Sequence, residues 1–169
     1  MDEVLPLSKS ELELLSALTA HKVRFMVVGL SAAALQGAPV VTEDVDLWFE
    51  DLSDPRLSQA LRKVGAAYVP PFGLNPPMLA GSGSEPFDVV LRMDGLGSFA
   101  EELKNVKLIR VGSLQLRVLS VERILASKLA ANREKDQRVI PALRNTLRTL
   151  SSRTPVKSKR NVSKPHLKK

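Results

Sequence analysis

The stretch FMVVGLSAAALQGAPVVTEDVDLWFE, from Phe25 to Glu50, constrains the fold more than any other part of the chain. Residues 24–28 are short and β-rich, which predicts a strand that stops at Gly29. Residues 31–36 are small and helix-favouring, and Gly37-Ala38-Pro39 breaks them off before a second predicted strand at 45–50. On that second strand Asp44 and Asp46 stand two apart, so a pleated backbone turns both carboxylates to one face. Side by side, two carboxylates repel each other unless a cation neutralises them, and a hard, oxygen-seeking ion such as Mg²⁺ is the natural partner. A solvated strand face is the alternative for Asp-x-Asp alone. Upstream, the turn at Gly29 opens a helix whose N–H groups and dipole suit a phosphate, with the Ser31 hydroxyl as a further donor. Taken singly, that turn also reads as a plain glycine turn capped by serine. Together the two features predict phosphate and metal as neighbours on adjacent strands.

The remainder predicts one domain. A chain of 169 residues is too short for two independent cores and a linker. A Ser8-x-x-Glu11 capping box precedes Leu12, Leu14, Leu15 and Leu18, predicting a first helix over 8–22. Asp54 with Pro55 predicts a helix to about 64, and residues 66–69 a short strand. Residues 70–86 hold five prolines and three glycines and read as one long loop without regular structure. A strand at 87–92, an amphipathic segment at 98–104 and a hairpin of 106–111 with 114–119 follow. Ser120 caps a helix to about 132, and a last helical pattern over 134–150 contains Pro141, which predicts a kink or restart.

Charge is unevenly spread. The net charge of +7 equals the contribution of residues 151–169, which carry Arg153, Lys157, Lys159, Arg160, Lys164, Lys168 and Lys169 and no acid. The expected organisation is a neutral domain over 1–150 and a disordered basic tail over 151–169, the tail either drawn to RNA or DNA phosphates or merely solubilising. No apolar run is long enough to span a membrane, cysteine is absent, and the acidic start lacks the positive region of a signal peptide, so a cytoplasmic location is expected.

The segment VVGLSAAALQGAPVVTEDVDLWFE resembles the signature of nucleotidyltransferase-fold proteins, in particular the small prokaryotic group of minimal nucleotidyltransferases and AbiEii-type toxins. The resemblance implies an α+β fold, a mixed β-sheet flanked by helices. It extends to a third carboxylate at Asp88 in EPFDVVL and to LSVERILASKLAANREKDQRVIPAL, which contains Lys128, Arg133, Lys135 and Asp136. By this resemblance Asp44, Asp46 and Asp88 would bind one or two Mg²⁺ (or Mn²⁺) ions. Gly29, Ser31, Lys128 and Arg133 would hold the nucleoside triphosphate, ATP or another. The implied activity is transfer of a nucleoside monophosphate to RNA, protein or a small molecule. Lys135 and Asp136 are weaker matches. One departure stands out: the family's second small turn residue is Leu30 here, and Ser31 comes one place later. Two alternatives therefore accompany the enzyme: a catalytically impaired nucleotide- or RNA-binding protein, and one half of a toxin–antitoxin pair that needs a partner protein. Trp48 shares the parity of the aspartates, so it either stacks on a base or, as is commoner, covers the sheet.

Overall fold

The computed structural model describes residues 6–81 and 83–153. Its framework is a five-stranded sheet ordered β5-β2-β1-β7-β6, made of β1 (Phe25–Val28), β2 (Val45–Phe49), β5 (Phe87–Val90), β6 (Val106–Val111) and β7 (Leu114–Leu119). β1 runs antiparallel to β2 and parallel to β7, β2 parallel to β5, and β6 antiparallel to β7. The sheet is therefore mixed. Phe25, Met26, Val27 and Val28 are all buried, which a pleated strand achieves only where both its faces are covered. β1 is accordingly the central strand, and the edge strand β6 leaves Leu108 exposed.

Helices supply the cover. α1 (Lys9–Ala20) starts at the expected capping box, with Ser8 and Glu11 bonding reciprocally, and buries Leu14, Leu15 and Leu18. It packs with α3 (Pro55–Lys63), capped by Asp54. α2 (Gly29–Leu35) begins directly at the end of β1 and packs on β1, β2, β7 and α5 (Val121–Ala131). α5 ends at Asn132 in the left-handed conformation and turns into α6 (Glu134–Arg153), against which it packs. The short α4 (Phe99–Glu102), with its own Ser98/Glu101 capping box, leads through a 3-10 turn into β6. There Trp48 meets Phe99 edge-on, ring centres 5.8 Å apart, and is buried. It covers the sheet.

Three expectations need amendment. Residues 70–86 are not a continuous loop: β4 (Met78–Gly81) pairs antiparallel with β3 (Ala66–Val69) in a separate ribbon. Pro70, Pro71, Pro76 and Pro77 all fall in the connection, closed by a bridge between Phe72 and Asn75, and residues 78–81 contain none. Leu79 is buried and anchors the ribbon. Next, of the kink or restart expected at Pro141 the restart is absent: α6 continues through the proline, carried by the burial of Ile140 and Leu143 on either side. It also runs to Arg153, three residues past the expected domain boundary, while residues 154–169 lie outside those described. Finally, β2 begins at Val45 as expected, but Asp44, expected on that strand, stands at its threshold and not within it.

Candidate active site

The sheet's register brings two of the predicted carboxylates together. Asp46 of β2 is the direct partner of Asp88 on the parallel strand β5. Partners across a parallel pair lie about 4.8 Å apart and turn their side chains to one face. Asp44 enters from the threshold of β2, held by a local turn in which its N–H donates to Thr42 Oγ1 (3.3 Å) and that hydroxyl donates to the Asp44 carbonyl (3.0 Å). All three aspartates line one cleft of about 240 Å³ together with Lys128 of α5, Lys135 and Asp136 of α6, and Leu30 of α2.

Asp46 carries the tension of this arrangement. Burial, and after it the neighbouring charges of Asp88 and Asp44, push its pKa up to about 6 against the pull of Lys128 and Lys135. Asp88 is also raised, first by burial and then by Asp44. The carboxylate of Asp46 lies against the backbone of Gly29, where any Cβ would overlap it. Gly29 is doubly required, since its φ of +65° lies in the left-handed region. The glycine thus makes room for the acid.

Ser31 has a different task from the one expected. Its hydroxyl is buried, donates to the Val28 carbonyl (2.9 Å) and accepts from the Asp46 N–H (3.2 Å). That proton is committed, and the serine ties β1, α2 and β2 together beneath the acid. Arg133 is likewise occupied: its guanidinium donates to Asp136 Oδ2 (2.6 Å), and it does not line the cleft. Lys128 does line it, with Nζ 3.2 Å from Asp136 Oδ1. Burial alone would raise the Asp136 pKa, but hydrogen bonds from Arg133 and Lys128 overcome it and hold the group at about 2. Asp136 is therefore a fixed anion that positions Lys128. Thr42 and Val139, also in the lining, escaped the sequence reading. Thr42 was findable, because a threonine two residues before an aspartate is a common turn former.

Among the described residues, no three acidic or histidine side chains form a ready-made metal cage. The donors nonetheless fit a hard cation. Mg²⁺ characteristically takes one or two protein carboxylates and completes its shell with water and substrate phosphates, and the cleft supplies oxygens alone, in excess of its lysines.

No protein-family model matches this sequence, and no curated protein matches it significantly. Solved structures do. TM1012 of Thermotoga maritima, inferred to be a nucleotidyltransferase, superposes with a TM-score of 0.57 at 18% identity over 84% of this chain and 90% of that one. ANT(2″)-Ia, solved in complex with adenylyl-2″-tobramycin, gives 0.55 at 14% identity over 83% and 87%. An antigenic nucleotidyltransferase-like protein of Paracoccidioides brasiliensis gives 0.51 at 19% over 89% and 91%. The chain therefore has the nucleotidyltransferase-like α+β fold. At these identities the likeness is one of fold, and the chemistry must come from the cleft itself.

Proposed function

We propose that the protein is a divalent-metal-dependent nucleotidyltransferase. It would move a nucleoside monophosphate from a nucleoside triphosphate to an acceptor hydroxyl on RNA, protein or a small molecule. The observation that carries this reading is the in-register pair Asp46 and Asp88, with Asp44 beside them. Three carboxylates converging where one is pushed to about pH 6 strain the apo protein, and a bound cation relieves that strain.

Asp44 and Asp46 would hold the ion, with Asp88 as a third ligand; when bound, it neutralises charge on the triphosphate. The acceptor oxygen forms a bond to the α-phosphorus as the bond to the bridging oxygen breaks, and pyrophosphate leaves. Asp88, the more exposed carboxylate of the pair, is suited to orient the acceptor hydroxyl and take its proton. Lys128 and Lys135 face the same cleft and supply positive charge for the phosphates. Lys128 is oriented by Asp136. At the start of α2, Gly29 is buried against the Asp46 carboxylate, and it is Leu30 that reaches the cleft.

The test is incorporation of label from each α-³²P nucleoside triphosphate, with Mg²⁺ or Mn²⁺, into total RNA, total protein and the protein itself. Transfer lost in the Asp44→Ala/Asp46→Ala variant is the expected result; transfer that survives the double substitution overturns the site, and no transfer with any nucleotide overturns the activity. Leu30 favours a second reading, nucleotide binding without transfer, because this bulky side chain lines the cleft where the resembling proteins carry a small one. Transfer that appears only in the Leu30→Gly variant would support it. The narrower toxin reading is supported by growth arrest on expression that Asp44→Ala abolishes.

A further inference from the structure

A second cavity, of about 510 Å³, lies at the other end of the central strands, where β1 and β7 begin. It is separated from the acidic cleft by the length of β1, about 10 Å of extended chain. Its charged lining is entirely basic: Lys22, Arg24, Arg56 and Arg117, with Phe25 and Leu108 among its apolar walls. Two of these cations are already matched, Arg24 by Glu50 and Arg56 by Asp54 (2.7 Å). Among the described residues, Lys22 and Arg117 have no acidic partner.

Lys22 is there at a cost to the fold. It follows the C-cap of α1 with a φ of +56°, in a Schellman cap closed by Lys22 N–H to Thr19 O and Val23 N–H to Leu18 O, both 3.0 Å. Glycine suits that position without strain, whereas a lysine is disfavoured. A side chain retained where its absence would relax the backbone signals a use for that side chain. Leu108 points the same way, since it is 61% exposed on the edge strand at the cavity wall.

We propose that this cavity is a second binding site, independent of the acidic cleft, for a small phosphomonoester. Its dianion is held by Lys22 and Arg117, and its organic part lies against Leu108, the cross-strand partner of Arg117 on the same face. Two unpaired cations match two negative charges, and the volume suits a ligand of nucleotide size. The cations surround one concavity instead of forming the stripe that tracks a nucleic-acid backbone. The site does not depend on the transferase reading.

The test is an amide NMR titration of the full-length ¹⁵N-labelled chain in EDTA with 5′-AMP, adenosine and a short RNA without terminal phosphate. Saturable shifts at Lys22, Arg24, Gln115 and Arg117 with 5′-AMP, and none there with adenosine, are expected. Lys22→Gly and Arg117→Gln should each weaken binding about five-fold or more, Lys22→Arg should retain it, and Lys22→Gly should not lower the unfolding midpoint. Shifts confined to Leu30, Asp46 and Asp88, or binding indifferent to Lys22→Gly, would overturn the site. RNA that binds there as tightly as 5′-AMP would overturn the small-ligand assignment in favour of nucleic acid.

Discussion

Asp46 is the residue on which the site turns, and its ionisation sets a measurable stability signature. An ordinary aspartate titrates at 3.8, and Asp46 at about 6 in the fold. Between those values the folded protein holds a proton that the unfolded chain has lost, so this group's contribution to stability falls as pH rises, and the full penalty is present above about pH 6. Its size is on the order of 2 kcal/mol. Asp46→Asn lacks this penalty. In EDTA the variant should therefore unfold at higher denaturant than the parent by a margin that grows from pH 4 to 6 and is then constant. A margin independent of pH would contradict the assignment. Mg²⁺ should raise the parent's midpoint and leave the variant's nearly unmoved. That Asp44 and Asp46 stand close was legible in the sequence from their spacing. Strand parity was the wrong reason for Asp44, which a turn with Thr42 holds at the threshold of β2. The role of Ser31 was not legible, because a hydroxyl beside a glycine turn serves a phosphate or the backbone equally well until β2 is seen to lie against it.

Among the elements, local signals of capping and period located α1, α3, α5 and the β6–β7 hairpin close to their observed bounds. The failures were long-range. β4 forms because β3 offers it a partner, which proline density over 70–86 conceals. At Pro141 only the restart failed: α6 runs on through the proline because packing on both sides outweighs a lost hydrogen bond. Pro141 is exposed, so replacing it with alanine should restore the bond to the Gln137 carbonyl and raise stability by about 1–3 kcal/mol, read from urea unfolding. An unchanged midpoint would show that α6 has already absorbed the proline. The α5–α6 contact also responds to acid. Asp136 is depressed to about 2, so its contribution is complete above about pH 4 and is lost as pH falls through 2. Asp136→Asn should reduce stability at pH 7 and erase that acid dependence.

Across the whole molecule, charge is sorted by position: acids crowd one end of the central strands, a basic cavity occupies the other, and the surplus lies in the C-terminal residues. Removing residues 154–169 takes away six cations and no acid. If the tail contacts nucleic acid, the shortened chain should elute from RNA at lower salt, with a shallower dependence of affinity on salt concentration. Equal elution would leave the tail a solubilising role. The in-register pairing of Asp46 with Asp88 has one more consequence. Their strands lie 42 positions apart in the chain, and a slip of a single residue between them would turn one carboxylate to the opposite face. Only the correctly zipped sheet presents both acids to one ion. If the proposed cation binds there, it would weight that alignment above every shifted one, and so proofread the sheet as it assembles.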